Sequence, residues 1–268
     1  MDEDPTPQDG LREAAFFDLD KTIIATSSAT AFSRPFLAGG LLTRRSVVRT
    51  AYAQLLYQLG GADEDQTERL RAQLSRMVAG WDVSQVSAIV AETLHESIDP
   101  TVYAEAVALI AEHHDAGRDV VVVSASGAEV VEPIAAILGA DHVIATRMNV
   151  LDGRYTGEID FYAYGPNKAS AIRELAEVEG FDLAASYAYS DSVTDAPMLG
   201  AVGHAFAVNP DRALRRLAVE RGWGTLSFVR PVPLFPPRAR IVTAGVVTLV
   251  AAGVLVTWLL LRRRRRST

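Results

Sequence analysis

Four short segments of the sequence carry carboxylate, hydroxyl and ammonium groups that could act together on a phosphoryl group. The candidate residues lie at or just after predicted strand ends or at a helix start: Asp18, Asp20, Ser124, Lys168, Asp191 and Asp195. Asp18 and Asp20 are two residues apart, so in an extended chain their side chains can face one site. Converging carboxylates offer the hard oxygen ligands that Mg²⁺ prefers, and a lysine can neutralise a phosphoryl group. The sequence therefore predicts a site for Mg²⁺ and phosphate.

The elements that must position these residues alternate between strands and helices. Short apolar runs, rich in β-branched and aromatic residues, are typical of buried parallel strands. The predicted strands are Ala14–Phe17, Asp119–Ser124, His142–Ala145, Ser186–Tyr189 and His204–Val208, and the predicted helices are Ala128–Leu138, Asn167–Glu179 and Asp211–Arg221. Met148–Ile159, with Asp152-Gly153 at its centre, predicts a β-hairpin. This order indicates an α/β fold with a doubly wound, mostly parallel, Rossmann-like sheet, whose sites lie at the carboxyl ends of the strands.

A helical insertion is predicted between the first and second strands. Residues 28–116 carry apolar residues at helical spacing and would form a cap over a core made of residues 11–27 and 117–229. From Lys21 to Ala62 there is no acidic residue, whereas five basic residues occur. Two interpretations stay open: a solvated arginine-rich helix face, or a basic surface that meets an anionic substrate or lipid headgroups.

The carboxyl-terminal part of the sequence predicts a membrane anchor. Residues 241–261 are 21 consecutive residues without a charge, enough for a helix of roughly 31 Å, and a basic tail at 262–268 carries five arginines. A proline-rich linker at 230–240 precedes this predicted transmembrane helix. The distribution of positive charge favours a cytoplasmic tail, but that orientation would require export of the whole body without a signal sequence. We therefore expect a single-pass anchor with the body in the cytoplasm.

Composition excludes several classes of protein. The 268 residues contain no cysteine, so disulfide scaffolds, thiolate metal sites and cysteine nucleophiles are excluded. The formal net charge is −7, and without the five tail arginines 21 basic residues face 33 acidic ones, a net charge of −12. An acidic body is a poor ligand for nucleic acid, so the expected partners are a cation, a small phosphate ester and a membrane. The oligomeric state stays open.

The four segments together resemble the motifs of the haloacid dehalogenase superfamily of phosphatases. The first is Asp18-Leu19-Asp20-Lys21-Thr22, and the others supply Ser124, Lys168 and the acidic pair Asp191 and Asp195. The similarity covers roughly residues 14–228, and the position of the cap is similar to that in the branch containing phosphoserine phosphatases.

The resemblance implies a role for each matching residue. Asp18 would attack phosphorus and form an aspartyl-phosphate, while Asp20 would act as general acid and then as general base. Mg²⁺ would bind the carboxylates of Asp18 and Asp191 and the main-chain carbonyl of Asp20. Asp195 would orient the metal's surroundings or bind through water, and Ser124 and Lys168 would hold phosphoryl oxygens.

Several alternatives were weighed against this assignment. An EF-hand is excluded because position six of the loop starting at Asp18 is Ile23 and position twelve is Ala29. No P-loop motif is present. Ser124 and Asp195 could also be helix N-caps, and His113 and His114 are expected to be solvated. A non-catalytic, membrane-tethered phosphate-binding or scaffold protein remains the alternative function.

The substrate is the least determined part of the assignment. Phosphoserine phosphatases carry an acidic residue shortly after the first motif, whereas Ile23–Ser28 contains none. A small phosphorylated metabolite is expected, with phosphoserine-like compounds and membrane-proximal phosphate esters both open.

Overall fold

The computed structural model describes residues 11–43, 75–229 and 231. The chain divides into two units, residues 1–232 and 233–268, and the second lies wholly outside the described residues. Seven strands form one sheet: β1 (Ala14–Asp18), β2 (Asp119–Gly127), β3 (His142–Leu151), β4 (Arg154–Phe161), β5 (Tyr187–Ser190), β6 (His204–Val208) and β7 (Gly224–Leu226). Their order is β4-β3-β2-β1-β5-β6-β7, and every pair is parallel except β3 with β4. The predicted mostly parallel α/β sheet is confirmed.

Helices account for most of the remaining described chain. They are α1 (Ser28–Ala31), α2 (Ser33–Ala38), α3 (Val83–Ile98), α4 (Ala104–Asp115), α5 (Ala128–Leu138), α6 (Pro166–Glu179), α7 (Ala196–Leu199) and α8 (Arg212–Arg221). Short 3₁₀ helices lie at Asp99–Thr101 and Val193–Asp195, and residues 75–78 are also helical. The predicted helices at 128–138, 167–179 and 211–221 are thus present, with Asp211 serving as the N-cap of α8.

The central strands are buried on both faces, which explains their continuous apolar runs. Phe16 and Phe17 are both fully buried although they point to opposite sides of the sheet. Phe16 packs in a cluster with residues of α6 and α8, including Ile172 and Leu214, whereas the Phe17 ring contacts His113 of α4. Helices therefore cover both faces of the sheet, as in a doubly wound fold.

The hairpin is longer than the sequence predicted. The weak strand at 142–145 and the first arm of the hairpin are one continuous strand, β3, which pairs with β2 at its start and with β4 at its end. The turn is at Asp152-Gly153, as predicted, and both residues have positive φ, 50° and 74°, the conformation that a two-residue hairpin turn requires. The second half of β3 is largely exposed, including Val150 and Leu151, and beyond Thr146 it pairs with β4 alone.

The described part of the insertion is helical, with α1 and α2 at its start and α3 on its return. The hairpin tip contacts the chain just before α3: Val83 N–H donates to the Gly153 carbonyl, and Gly80 N–H donates to the Tyr155 carbonyl. Helix α4, within the predicted cap range, instead packs against the sheet through Ile110 and His113. Residues 44–74 of the predicted insertion lie outside the described residues, and with them three of the five basic residues between Lys21 and Ala62.

The predicted membrane span at 241–261 and tail at 262–268 also lie outside the described residues. Within the described ranges, no helix is both long enough and apolar enough to cross a membrane. Of the predicted linker at 230–240, only Pro231 is described, and it forms a β-bridge with Tyr103 at the start of α4.

His113 is buried, which corrects the prediction that it is solvated. Its Nε2 lies 2.9 Å from the hydroxyl of Tyr189, and its ring packs edge-on against Phe17, Tyr187 and Tyr189. The buried Nδ1 has no hydrogen-bond partner among the described residues. Burial, with the charge of Arg118 adding to it, lowers the pKa of His113 to about 4.

We expect His113 to make the fold sensitive to acid. The unfolded chain binds a proton near pH 6.5 and the folded chain only near pH 4, so the free energy of unfolding falls as pH drops through this window, by about 2 kcal/mol between pH 7.5 and 5. Urea unfolding of His113→Gln at both pH values should show a pH dependence smaller by that amount. His114→Gln, one residue along the same helix but partly exposed, is the matched control. An unchanged pH dependence in His113→Gln would contradict the prediction.

Candidate active site

The predicted site residues converge at the carboxyl ends of three neighbouring strands. Strand β1 ends at Asp18, between β2, which contains Ser124, and β5, which is followed by Asp191. Lys168 lies in the first turn of α6. The strand order thus places segments from four distant parts of the chain at one edge of the sheet, as the alternating pattern predicted.

Asp18, Lys168 and Asp195 form a buried chain of ion pairs. The Lys168 ammonium donates to Asp18 Oδ1 at 2.6 Å and to Asp195 Oδ2 at 2.9 Å, and all three side chains are almost completely buried. The Thr22 hydroxyl donates to the other oxygen of Asp18 at 3.2 Å. These bonds fix the direction of the Asp18 carboxylate and the position of the ammonium beside it.

Charge is unevenly distributed in this cluster. Burial raises the pKa of Asp18 well above its usual range, an effect that Lys168 opposes and that Asp195, Asp191 and Asp20 reinforce. For Lys168, burial lowers the pKa, but the charges of Asp18 and Asp195 outweigh it, so the pKa is raised. Lys168 therefore remains an ammonium, and one buried cation faces several carboxylates.

Asp20 is held separately from Asp18. Its Oδ1 accepts a hydrogen bond from the backbone N–H of Ser28 at 2.8 Å, and its Oδ2 accepts one from the Ser126 hydroxyl at 3.4 Å. Burial raises the pKa of Asp20 even though these bonds favour the carboxylate. A carboxyl group with a raised pKa beside a second carboxylate is suited to proton transfer.

Ser124 is buried at the end of the apolar part of β2, and Gly127, not Ser124, precedes helix α5. The N-cap alternative for Ser124 is therefore wrong. Its Oγ accepts a hydrogen bond from Ser126 N–H at 3.2 Å. The hydroxyl thus lies near the end of β2, two residues before Ser126, which contacts Asp20.

Asp195 is hydrogen-bonded to Lys168. Its carboxylate accepts from Lys168 and from the Ser190 hydroxyl at 2.7 Å, and it makes no side-chain cap on α7. Asp195 therefore orients Lys168, a contact that sequence spacing did not indicate.

Asp191 lies in the loop after β5 and is only partly exposed. Burial is the largest reason that its pKa is raised to about 7, with Lys21 opposing the shift and Asp195 reinforcing it. Its backbone carbonyl accepts a hydrogen bond from Asp211 N–H at 2.9 Å, and the Asp211 carboxylate accepts one from Val193 N–H. Asp211 thus fixes the loop that carries Asp191.

Among the described residues, no three Asp, Glu or His side chains are grouped so that they alone could hold a metal ion. The set predicted for Mg²⁺ uses only two carboxylates, those of Asp18 and Asp191, with the carbonyl of Asp20 as third ligand. These are hard oxygen donors, and the buried carboxylates outnumber the one buried ammonium. The donor chemistry therefore fits a divalent cation.

Four residues with contacts in the site were not singled out by sequence reasoning: Ser28, Ser126, Ser190 and Asp211. Ser190 and Ser126 lie within the motif segments, so their position was a usable signal. Ser28 and Asp211 act through contacts with distant residues, and no spacing rule indicates them.

Lys21, the only other lysine in the sequence, is exposed and has a positive φ of 63°.

These features define an α/β protein with a carboxylate-rich site at the carboxyl edge of its sheet. Residues 15–200 match the family described as haloacid dehalogenase-like hydrolase, and the chain belongs to this family. The matched range includes all six predicted site residues, so the family resemblance found in the motifs is confirmed.

Named relatives cover nearly the whole chain. An "inhibition of morphological differentiation protein" from Streptomyces azureus is 60% identical over 262 residues, with 94% of this chain and 95% of the relative covered. A probable phosphatase from Mycobacterium tuberculosis is 60% identical over 259 residues, covering 94% and 90%. A phosphoserine phosphatase from the same organism is 36% identical over 265 residues, covering 98% and 85%.

Among solved structures, a protein of unknown function from Bordetella pertussis Tohama I is similar in fold. Its TM-score is 0.70 at 29% identity, with 84% of this chain and 100% of that chain covered. The similarity in fold thus extends well beyond the motif segments.

Proposed function

We propose that the protein is a Mg²⁺-dependent phosphomonoester hydrolase that acts through an aspartyl-phosphate on Asp18. The observation that carries the proposal is the buried contact of 2.6 Å between the Lys168 ammonium and Asp18 Oδ1, made across 150 residues of sequence. This contact supports the proposal because a cation lies beside the carboxylate of the proposed nucleophile. The relative named a probable phosphatase, at 60% identity, supports the same activity.

In the first half-reaction, a carboxylate oxygen of Asp18 forms a bond to phosphorus as the bond to the ester oxygen breaks. The carboxyl group of Asp20 gives its proton to the leaving oxygen, so that an alcohol departs. The raised pKa of Asp20 allows the protonated form that this step needs. Thr22 and Lys168 keep the Asp18 carboxylate in one orientation.

In the second half-reaction, water attacks the phosphorus of the aspartyl-phosphate. Asp20, now a carboxylate, takes a proton from this water, and the bond between phosphorus and Asp18 breaks. Phosphate leaves, and both aspartates return to their initial states. One residue thus serves as acid and then as base, because each half-reaction restores the form that the other requires.

The proposed phosphate ligands are Ser124 and Lys168. Within the described residues, the Ser124 hydroxyl proton makes no hydrogen bond, since its Oγ acts only as an acceptor from Ser126 N–H. It can therefore donate to a phosphoryl oxygen. Asp195 keeps the Lys168 ammonium in place while charge develops on the transferred group.

Asp18 and Asp191, with the carbonyl of Asp20, would hold Mg²⁺. The bound ion would offset negative charge on the phosphoryl oxygens and favour ionised carboxylates. The pKa of Asp191, raised to about 7 mainly by burial, is that of a carboxyl group whose ionised form lacks sufficient positive charge nearby.

The proposed substrate is a small phosphorylated metabolite, and a phosphoserine-like compound is included. The relative named a phosphoserine phosphatase supports this class. Against phosphoserine itself stands the absence of any acidic residue between Lys21 and Ala62, because an ammonium group needs a carboxylate partner. A phosphate ester at a membrane surface is the second candidate, favoured by the basic residues of the same segment.

The test is hydrolysis of a panel of phosphate esters by the full-length protein in detergent. The panel contains p-nitrophenyl phosphate, phosphoserine and lysophosphatidate, each assayed with Mg²⁺ and with EDTA. We expect release of phosphate with Mg²⁺ and a loss of at least about 100-fold with EDTA, reversed by added Mg²⁺. No hydrolysis of any ester would favour the non-catalytic, membrane-tethered phosphate-binding protein.

We also propose that residues 241–261 anchor the protein in a membrane, with the body in the cytoplasm. The proposal is supported by 21 uncharged residues followed by five arginines. The full chain is expected in the membrane fraction after cell lysis, and a chain ending at residue 235 in the soluble fraction. Extraction of the full chain by high salt without detergent would contradict the anchor, because only electrostatic attachment is broken by salt.

The orientation has a separate test. Protease added to spheroplasts should leave the body intact, and digestion should follow only after lysis. Digestion of the body from outside would reverse the proposed topology.

A further inference from the structure

The Asp20 carboxyl group is held between two serines that are 98 residues apart in the sequence. Ser28, the first residue of α1 in the predicted cap, donates its backbone N–H to Asp20 Oδ1 at 2.8 Å. Ser126, near the end of β2, donates its hydroxyl to Asp20 Oδ2 at 3.4 Å. The two serine hydroxyl oxygens are 2.7 Å apart, so the serines are also bonded to each other.

The two serine hydroxyls and the Asp20 carboxyl group form one hydrogen-bonded cluster. Either hydroxyl can donate in the bond of 2.7 Å between the serines. The Ser126 hydroxyl donates to Asp20 Oδ2, and the Ser28 side chain also favours the Asp20 carboxylate. Both side chains therefore act on the same carboxyl group.

The same cluster is joined to the proposed phosphate site. Ser126 donates its backbone N–H to Ser124 Oγ, and Ser28 is fully buried. The end of β2 thus relates the carboxyl group of Asp20 to the hydroxyl that would hold the phosphoryl group. A shift of about 1 Å between such groups is enough to slow a reaction strongly.

We propose that Ser126 and Ser28 are positioning residues, which orient the Asp20 carboxyl group for proton transfer to the leaving oxygen. The inference rests on the proposed function. The Ser126 and Ser28 side chains both act on Asp20, and they are bonded to each other. The backbone N–H of Ser28 contributes independently of its side chain, so it is retained in an alanine variant.

This role predicts a dependence on the leaving group. An alkoxide is a much stronger base than p-nitrophenolate, so an alkyl ester needs the proton from Asp20 whereas a nitrophenyl ester hardly does. The value of kcat/KM reports steps up to departure of the alcohol, and it is independent of the later attack by water. A misplaced Asp20 should therefore lower kcat/KM for alkyl esters selectively.

The experiment compares p-nitrophenyl phosphate, phenyl phosphate and benzyl phosphate with the full-length protein. For Ser126→Ala we expect kcat/KM to fall about 10- to 100-fold on benzyl phosphate and less than about 3-fold on p-nitrophenyl phosphate. Ser126→Thr, which keeps the hydroxyl, should recover most of the loss. Ser28→Ala should show the same selectivity, and the free-energy loss in the double variant should be smaller than the sum of the two single losses, because the two side chains are coupled.

The matched control is Ser33→Ala, because its hydroxyl is in the same cap segment but donates to the Thr30 carbonyl. It should leave all three esters near wild-type rates. Equal losses on all esters in Ser126→Ala, or additive losses in the double variant, would overturn the positioning role while leaving the proposed function intact. If Ser126→Ala does not fold, Ser28→Ala gives the same comparison. Wild-type protein that hydrolyses none of the esters would overturn the proposed function and this inference together.

Discussion

Asp18→Asn is expected to reduce hydrolysis of every phosphate ester by at least about 1,000-fold. An amide is nearly the same size as a carboxylate but is a poor nucleophile, so the first half-reaction cannot start. Initial rates with p-nitrophenyl phosphate at saturating Mg²⁺ would measure the loss. The effect should fall on kcat, because the groups proposed to hold phosphate, Ser124 and Lys168, are unchanged.

The variant should still fold. Burial raises the pKa of Asp18, which means that the folded protein favours a neutral group at this position more than the unfolded chain does. Asp160→Asn, at an exposed position on β4, is the matched control and should retain wild-type rates. Activity above about a tenth of wild type in a folded Asp18→Asn protein would rule out Asp18 as the nucleophile.

Lys168→Met is expected to affect both activity and stability. The methionine keeps the length of the side chain but removes the only buried ammonium among the described residues. Asp18 and Asp195 would then share a buried site without a cation, and breaking such a pair costs about 3–5 kcal/mol of unfolding free energy. Loss of a phosphate ligand should also reduce kcat/KM by about 100-fold or more.

Lys21→Met provides a strict comparison, because Lys21 is the only other lysine in the chain and is exposed. We expect its unfolding free energy within about 0.5 kcal/mol of wild type and its activity within several-fold. Urea unfolding of both variants would measure the difference in stability, and steady-state kinetics would measure the difference in activity. Equal behaviour of the two variants would show that the buried ion pairs of Lys168 contribute to neither property.

The sequence alone predicted the position of those site residues that follow the apolar run of a single strand. Asp18 follows a run of four apolar residues, and Ser124 follows a run of valines, so their positions at the sheet edge could be predicted from local pattern alone. Helix α8 could be predicted in the same way, and the Asp211 carboxylate accepts from Leu214 N–H as an N-cap should.

Contacts between distant segments could not be predicted in this way. Asp195 bonds to Lys168 because α6 packs beside the loop after β5, and no spacing in the sequence encodes that approach. His113 looked like a solvated residue near a helix end, yet α4 turns it toward Phe17 and Tyr189. In each case the environment is set by tertiary packing, which overrides the local signal.

The central place of β1 has a consequence for synthesis of the chain. Strand β1, the first of the described strands to be synthesised, lies between β2 and β5, and the Ala14 N–H donates to the hydroxyl of Ser186, which is made 172 residues later. At about 5–20 residues per second, a ribosome needs roughly 10–35 s to make that stretch. During this time the strand that carries Asp18 has an open edge, and its two phenylalanines lack the partners that later cover them. The apolar edge of β1 therefore stays exposed in the nascent chain until the residues of β5 have been made.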